Sequence, residues 1–193
     1  MIREALLCDN QYSGSVAEAY RYRKRESAGE KSMELKAYTR SDADTILSWS
    51  NNERSFFQWT AGVMGDYPIT PEEFRFVEAL TAFTAYDGKE RVGFFTLRRP
   101  DGSVDELRIG FVIIDPEKRG KGFGKEMLKL GIRYAFEECG AKTVSLGVFE
   151  NNPAAYHCYR AAGFEEVKTA EPEEYDVLGE KWKCIEMRIA KAP

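Results

Sequence analysis

The residues with the clearest chemical potential combine glycine with positive charge in one short segment. They are Arg119, Gly120, Lys121, Gly122, Phe123, Gly124 and Lys125. Unpaired amides at a helix start, with the positive end of the helix dipole, favour an anion such as a pyrophosphate. Glycines let the backbone approach phosphates without a Cβ in the way, and the basic side chains add charge. The pattern is equally typical of a simple turn before a helix, so alone it leaves both interpretations open.

The elements around this segment read strand, loop, helix. Residues 107–114 are strand-like and end at Asp115-Pro116, and apolar residues recur at helical spacing from Met127 to Phe136. A P-loop does not fit, because Lys125 is followed by Glu126 where that motif needs Ser or Thr. A dinucleotide fingerprint does not fit either, because the glycines run G-x-G-x-G and a charged segment separates them from the strand.

A second chemically suggestive segment lies downstream. Residues 144–149 read as a strand, and Asn152 and Pro153 then open a short helix in which Pro suits the first turn. That helix carries Tyr159 and closes at Gly163, before the next predicted strand.

Together these segments resemble the GNAT N-acetyltransferases. The pattern [QR]-x-x-G-x-[GA] is met by Arg119, Gly122 and Gly124. The pattern N-x-x-A-x-x-x-Y-x-x-x-G-F is met by Asn152, Ala155, Tyr159, Gly163 and Phe164. The resemblance covers residues 33–193, which we predict to be the acetyltransferase domain, and leaves residues 1–32 as an N-terminal extension.

The resemblance implies that acetyl-CoA lies in a wedge between two splayed central strands. Backbone groups of Val112, Ile113 and Ile114 would pair with the pantetheine like an added strand. Residues 120–125 would hold the pyrophosphate, and Asn152 would reach the pantetheine arm. Tyr159 would protonate the departing thiolate. A phenol with an ordinary pKa near 10 is a suitable acid for a thiolate with a pKa of about 8.5, because the transfer is nearly balanced. The alternative for Tyr159 is a core aromatic.

A base must also accept a proton from the attacking amine. Strand alternation puts Glu106, Arg108, Gly110, Val112 and Ile114 on one face, with Asp105 opposite. Many of the GNAT enzymes that this chain resembles place a glutamate on this strand or on the strand after the following helix, and the resemblance therefore makes Glu106 the candidate base. The alternative is an ordinary strand-end carboxylate paired with Arg108.

Two groups suggest the acceptor. Acidic residues crowd the C-terminal part of the chain, namely Glu165, Glu166, Glu171, Glu173, Glu174, Asp176 and Glu180. Their field would attract cationic amines such as polyamines, aminoglycosides or basic peptide ends, or they form a solvated loop. The aromatic residues Phe56, Phe57, Trp59 and Tyr67 would form the other wall of the acceptor groove and offer ring faces to a cation.

Several function classes stay open. The first is an acetyl-CoA-dependent N-acetyltransferase acting by direct attack in a ternary complex, and the second is a non-catalytic CoA- or ligand-binding sensor. Tyr159 favours the enzyme, because a binding module has no need of an acid. Transfer to a hydroxyl, or of a longer acyl group, would use much the same residues.

Composition fits a globular enzyme. The chain has 193 residues, 43% of them hydrophobic, and a net charge of −4, which argues against a nucleic-acid partner. No apolar run could span a bilayer, the N-terminus lacks a signal-peptide core, and the four cysteines show no C-x-x-C spacing. We therefore predict a cytoplasmic protein with no membrane association. One histidine, His157, provides no metal site, and we interpret it as a packing or surface residue.

The order of elements predicts an α+β fold with a twisted, mostly antiparallel mixed sheet of about six to seven strands flanked by helices. Strands are predicted at 34–39, 82–86, 91–98, 107–114, 144–149, 164–168 and 182–189. Helices are predicted at 42–50, at 70–80 behind a Thr70–Glu73 capping box, and after each of the two motif loops. Residues 51–67 and the acidic connection after 168 are expected to be irregular.

Two further expectations concern surfaces. An exposed edge of the C-terminal strand could pair in a homodimer. The basic-aromatic stretch 20–26 lies in a helix-permissive segment that starts near Ser15. It would be an arm that grips a partner or covers the acceptor site, or else a peripheral helix with solvated charges.

Overall fold

The computed structural model describes residues 21–23, 33–169 and 172–192. Its strands are β1 (Arg21–Arg23), β2 (Met33–Ala37), β3 (Thr81–Asp87), β4 (Glu90–Arg98), β5 (Glu106–Ile114), β6 (Thr143–Phe149), β7 (Glu165–Glu166), β8 (Glu173–Val177) and β9 (Glu180–Ala190). Its α-helices are α1 (Ala43–Ser48), α2 (Glu53–Thr60), α3 (Phe123–Glu137) and α4 (Pro153–Ala162). Short 3₁₀ helices span Arg40–Asp42, Glu73–Ala79, Pro100–Gly102 and Pro116–Lys118.

The described strands form a single sheet in the order β1-β2-β3-β4-β5-β6-β9-β7, and β8 also pairs with β9. Every pairing is antiparallel except that of β5 with β6, which is parallel. The predicted mixed, mostly antiparallel sheet is confirmed, with nine strands in the described residues where six to seven were expected.

Two hydrophobic clusters cover the two faces of the sheet. One cluster joins β2 to β6 and β9 with α3 and α4, through residues such as Leu107, Ile109, Leu128 and Leu146. The other joins β4 and β5 with α1, α2 and the 3₁₀ helix Glu73–Ala79, through residues such as Phe94 and Ile113. We call these two sides the α3/α4 face and the α1/α2 face.

The parallel strands at the centre separate soon after they meet. β5 and β6 pair only at Glu106↔Thr143, Leu107↔Val144 and Arg108↔Ser145. Beyond Arg108 the two strands have no Cα partners in each other, so they diverge towards the loops that follow them. The predicted splay is confirmed.

A bulge in β5 changes which face each residue occupies. Phe111 has a left-handed backbone (φ 48°), and the register with β4 shifts there, from Thr96↔Gly110 to Phe94↔Ile113. Val112 and Ile114 therefore pack with the α3/α4 cluster, whereas Glu106, Arg108 and Gly110 face the other side. The expectation that these five residues share one face is wrong, because a bulge adds a residue and inverts the alternation.

A buried carboxylate fixes α1 to the sheet. Asp42, which is 1% exposed, accepts hydrogen bonds from the Thr39 amide (2.9 Å), Thr84 Oγ1 (3.1 Å), Tyr86 Oη (3.0 Å) and Arg91 Nε (2.6 Å). Burial opposes ionisation of this carboxyl. The hydrogen bonds outweigh that penalty, so the pKa of Asp42 lies below its ordinary value.

Two predicted irregular segments are regular. α2 lies inside residues 51–67, where the Asn52 side chain caps the helix by accepting a hydrogen bond from the Ser55 amide at 2.8 Å. The acidic connection contains β8, which pairs with β9 from Glu173↔Cys184 to Val177↔Glu180. The sequence did not reveal β8, because several of its residues are acidic and exposed. They obscure the alternation of polar and apolar residues that is typical of a strand.

Other expectations need smaller corrections. The capping box of Thr70 and Glu73 is present, but the helix behind it is 3₁₀. The strand expected at 164–168 is reduced to β7. β9 is not an edge, because it is flanked by β6 on one side and by β7 and β8 on the other. The homodimer stays a prediction, but an exposed edge of β9 no longer supports it.

The predicted N-terminal extension contributes to the sheet. Arg21–Arg23 is a strand that pairs with β2, so the helix-permissive interpretation is wrong for these three residues, and the rest of that stretch lies outside the described residues. The boundary near residue 33 stays a prediction.

Candidate active site

The glycine-rich loop presents open backbone at the start of α3. Gly120 and Gly122 both have left-handed backbones, with φ of 73° and 87°, and no atom lies within 4 Å of where a Cβ would stand on either. Gly122 is the N-cap of α3, and both glycines are exposed. The amides of this helix start are therefore accessible to a ligand, as pyrophosphate binding requires.

The third glycine of the motif has a packing role. A Cβ on Gly124 would lie 2.9 Å from Cys158 Sγ and 3.5 Å from Ile114 Cγ1. Gly124 thus lets α3 approach both α4 and the end of β5. Open backbone is found at Gly120 and Gly122, and the approach of phosphates to the loop stays a prediction.

The basic side chains of the loop have distinct partners. Arg119 donates from Nε to the Ile114 carbonyl (3.1 Å) and from Nη2 to the Trp49 carbonyl (3.3 Å). Lys121 donates to the Glu117 carbonyl at 2.8 Å. Arg119 therefore ties the loop to the end of β5 and to the C-terminus of α1.

A cleft of about 330 Å³ lies beside the loop. Its lining residues are Met33, Asp87, Lys121, Gly122, Phe123, Lys125, Glu126 and Leu130. Two lysines and a helix start thus border a space open to solvent, which suits the phosphates of a nucleotide.

Asn152 has a structural function at the start of α4. Its side-chain oxygen accepts a hydrogen bond from the Ala155 amide at 3.2 Å, which caps the helix. The preceding residue, Asn151, accepts two hydrogen bonds from Gln58 Nε2 at 2.9 and 3.1 Å. The start of α4 is thereby fixed to α2 across the open end of β6.

Tyr159 is buried on α4, 7% exposed, with its ring centroid 6.3 Å from that of Phe164. Its hydroxyl makes no hydrogen bond to another described residue. Burial, with minor contributions from Cys158 and Cys184, raises the pKa of Tyr159 above its ordinary value. The phenol is therefore protonated throughout the neutral pH range, but the nearly balanced transfer expected from an ordinary pKa does not hold, because burial makes the phenol a weaker acid.

Glu106 is already engaged by neighbouring side chains. Its Oε1 accepts a hydrogen bond from Ser145 Oγ at 2.5 Å, and its Oε2 lies 3.6 Å from Arg188 Nη2. It also pairs with Thr143, before the strands separate. Among the described residues no ion pair joins Glu106 to Arg108, and Glu106 as the catalytic base stays a prediction.

Arg108 instead pairs with a carboxylate that sequence reasoning missed. Its Nη1 lies 2.7 Å from Glu186 Oε1 on β9, and both side chains are about one-quarter exposed. Burial opposes the charged guanidinium, but the hydrogen bond to Glu186 raises the pKa of Arg108 above its ordinary value. Cys184 lies in the same group, and burial raises its thiol pKa to about 11. The C-terminal acidity was the only sequence signal near Glu186.

The acidic residues predicted to attract a cation differ in their partners and in the face of the sheet that they occupy. Glu180 pairs with Arg54 at 3.0 Å, Asp176 with Lys181 at 2.9 Å, and Glu166 accepts from Tyr156 Oη. Glu173 stands opposite Cys184, on the α1/α2 face, and Glu171 lies outside the described residues.

The predicted aromatic wall is partly core. Phe56 and Trp59 are 1% and 8% exposed and belong to the cluster under α1 and α2. Phe57 and Tyr67 are partly exposed and remain available to a ligand. The sequence could not separate these roles, because they depend on which side of the unpredicted α2 each ring occupies.

The described residues give no support to a metal site or to a membrane-spanning helix. Within residues 21–23, 33–169 and 172–192, no group of three or more His, Cys, Asp or Glu could hold a metal ion. His157 is exposed and its ring contacts Tyr156. No helix in the described part of the chain is long and apolar enough to cross a membrane. The cytoplasmic location stays a prediction.

Comparison with known proteins decides the family. Residues 37–164 match the model of the acetyltransferase (GNAT) family, which covers more than half of the chain and both motifs. The chain belongs to this family. The predicted family, the acyltransferase class and the fold are therefore confirmed, and acetyl-CoA is the corresponding cosubstrate.

Named relatives among GNAT acetyltransferases include polyamine enzymes. The chain is 29% identical over 140 residues to the spermine/spermidine N(1)-acetyltransferase of Bacillus subtilis, covering 69% of this chain and 88% of the relative. It is 27% identical over 144 residues to the spermidine N(1)-acetyltransferase of Vibrio cholerae, covering 69% and 79%. The solved structure of spermidine N-acetyltransferase from Vibrio cholerae with CoA and spermine shares the fold, with a TM-score of 0.68, 23% identity and coverage of 82% and 95%.

Proposed function

We propose that this protein transfers the acetyl group of acetyl-CoA to a primary amine of a small cationic acceptor, with spermidine and spermine as the leading candidates. The observation that carries the proposal is that β5 and β6 separate beyond Arg108, with the open loop of Gly120 and Gly122 after β5 and the helix that carries Tyr159 after β6. The strand gap would thus be flanked by a helix start suited to an anion and by a helix that carries a candidate proton donor.

The cosubstrate would be held mainly by backbone. Phe111 and Val112 have no Cα partners in β4 or β6, so the edge of β5 is available to amides such as those of pantetheine. The pyrophosphate would lie against the amides from Gly120 to Lys125, with Lys121 and Lys125 beside it. Asn152 would act indirectly, by fixing the start of α4.

The chemistry assigned to the chain is proton transfer to the leaving group. As the amine nitrogen bonds to the thioester carbon, the C–S bond breaks and the sulfur takes the proton of Tyr159. The tyrosine then regains a proton that the nitrogen has lost. Burial raises the pKa of Tyr159 and makes it a weaker acid than an ordinary phenol, so proton transfer requires that the thiolate form directly beside its hydroxyl.

The polyamine acceptor is supported by two independent facts. The relatives named above act on spermine or spermidine, and they align with most of the proposed catalytic unit, residues 33–193. Carboxylates such as Glu173 and Glu186 lie on the α1/α2 face, opposite the helices that carry the cosubstrate loop and Tyr159. A cation approaching that face would meet favourable charge.

Thiol release from acetyl-CoA tests the proposal. The protein is assayed with spermidine, spermine, an aminoglycoside, a basic peptide and no amine. Release that depends on a polyamine is the expected result. If CoA raises the melting temperature but no amine elicits thiol release, the non-catalytic sensor is the better account.

A further inference from the structure

Two glycines face each other where the central strands begin to separate. Arg108↔Ser145 is the last parallel pair, and two residues further along lie Gly110 on β5 and Gly147 on β6, both on the α1/α2 face. Both are partly exposed, and on β6 the residues on either side of Gly147 are buried. Neither carries a side chain, so the side chains of neighbouring strands can occupy the space over them, and we call the site formed by Gly110 and Gly147 the glycine window.

An ion pair crosses β6 next to the window. Arg108 is on β5 and Glu186 is on β9, with β6 between them, yet their side chains meet at 2.7 Å. Gly147, the residue of β6 opposite Glu186, makes this possible. A Cβ there would lie 2.9 Å from Arg108 Nη2 and 2.7 Å from Cys184 Sγ.

One oxygen of Glu186 remains available at the window. Arg108 engages Oε1, whereas Oε2 lies 4.0 Å from the position of a Cβ on Gly147 and has no hydrogen-bond or ion-pair partner among the described residues. Arg108 fixes the carboxylate in this orientation, and the second oxygen can accept a charge-assisted hydrogen bond.

We propose that Glu186 binds the ammonium group of the acceptor at the glycine window, with Arg108 as its positioning residue. This inference rests on the proposed acetyl transfer and names the carboxylate that recognises the substrate. Glu106 is less suited to that task, because Ser145 and Arg188 already occupy its oxygens. The acceptor would thus approach from the α1/α2 face and the cosubstrate from the α3/α4 face, and the two would meet where β5 and β6 separate.

Glu186→Gln tests the proposal in the full chain with spermidine as acceptor. The substitution keeps the shape and removes the charge. The KM for spermidine should rise about tenfold to hundredfold, the range expected for a lost hydrogen bond to a charged group. The KM for acetyl-CoA should stay unchanged. Asp105→Asn is the matched control, because it neutralises an exposed carboxylate paired with Lys142 at 3.1 Å and should change neither constant.

Gly110→Ala is a second variant, which leaves the ion pair untouched. Its methyl group would stand in the window, 3.2 Å from Thr96 Oγ1, and should also raise the KM for spermidine. This variant decides the matter if Glu186→Gln shows no cooperative thermal unfolding transition and so has lost its fold.

The outcomes separate this inference from the function on which it rests. If the wild type acetylates no amine, the proposed function fails first. If the wild type is active and Glu186→Gln keeps the wild-type KM for spermidine, Glu186 does not bind the ammonium group. An unchanged KM in Gly110→Ala overturns the window as the acceptor's entry.

Discussion

The guanidinium of Arg119 donates a hydrogen bond to the carbonyl oxygen of Trp49 at 3.3 Å. This bond joins the loop before α3 to the C-terminus of α1, which lies on the opposite face of the sheet. Asp42 anchors the other end of α1 to β3 and β4. The loop proposed for the cosubstrate and the helices beside the proposed acceptor site are therefore parts of one connected structure.

Gly122→Asp tests the loop as the cosubstrate site. The new carboxylate would stand at the helix start, where it would repel a pyrophosphate. Saturating CoA should raise the melting temperature of the wild type, since a ligand at one hundred times Kd stabilises by about 2.7 kcal/mol. We expect thermal-shift measurements to show little or no rise in the variant.

The control for that experiment is Gly140→Asp. Gly140 also has a left-handed backbone (φ 67°) and open surroundings, but it follows the C-terminal end of α3. It should keep the full CoA-induced shift. Equal shifts in wild type and Gly122→Asp would exclude the loop as the binding site.

Tyr159→Phe tests the proton donor. The ring and its packing remain while the proton is lost, so acetyl-CoA binding should survive and kcat should fall by about 10²–10⁴-fold. Tyr156→Phe, on the same helix with an exposed hydrogen bond to Glu166, is the control and should retain activity. An unchanged kcat when chemistry limits the rate would remove Tyr159 from the mechanism.

Local sequence signals predicted the parts of this site that local geometry forms. The spacing of Gly120, Gly122 and Tyr159 was sufficient to place a loop and two helices, because caps and turns depend on neighbouring residues. The packing of Gly124 against Cys158 could not be predicted, since the two residues are distant in sequence. The function of a glycine depends on which side chain or ligand lies next to it in the folded protein, and the local sequence does not show this.

Asp42 should make stability depend on pH at the acid end. The pKa of Asp42 in the folded protein lies below its ordinary value of about 3.9. Its contribution to the free energy of unfolding is therefore fully present at pH values above that ordinary value. The contribution is then lost as pH falls through the lower folded pKa. Asp42→Asn should lower the free energy of unfolding at neutral pH by about 2 kcal/mol, because it removes the charge that strengthens the hydrogen bonds from Arg91, Tyr86 and Thr84.

Urea unfolding from neutral pH to pH 3 measures this effect. Asp105→Asn is again the control, since an exposed pair is worth about 0–1 kcal/mol. A loss at Asp42 no larger than at Asp105 would show that the buried network does not anchor α1.

Glu173 and Glu174 are adjacent on β8 but occupy opposite faces. Glu173 stands opposite Cys184 and hydrogen-bonds with Tyr175, whose pKa is raised by burial and by this contact. Glu173→Gln should therefore raise the KM for spermidine, with an effect that shrinks as salt increases and the Debye length falls from about 10 Å at 0.1 M to about 3 Å at 1 M. Glu174→Gln should have a smaller effect. Equal effects would mean that the whole acidic segment steers the substrate regardless of face.

The features that the sequence could not predict are non-local. The bulge at Phe111 inverts the faces of β5, and it arises from pairing with β4. The pair of Arg108 with Glu186 joins residues 78 positions apart and depends on Gly147 between them. The helix α2 was predictable in principle from its Asn52 cap, but the density of aromatic residues after it suggested an open wall.

The most direct test of the central claim is to follow an isotopically labelled acetyl group from acetyl-CoA to spermidine by mass spectrometry. We predict N-acetylspermidine carrying the label on a primary amine, and free CoA in equal amount. Labelled acetate as the sole product, or recovery of intact acetyl-CoA with every amine offered, would contradict the account.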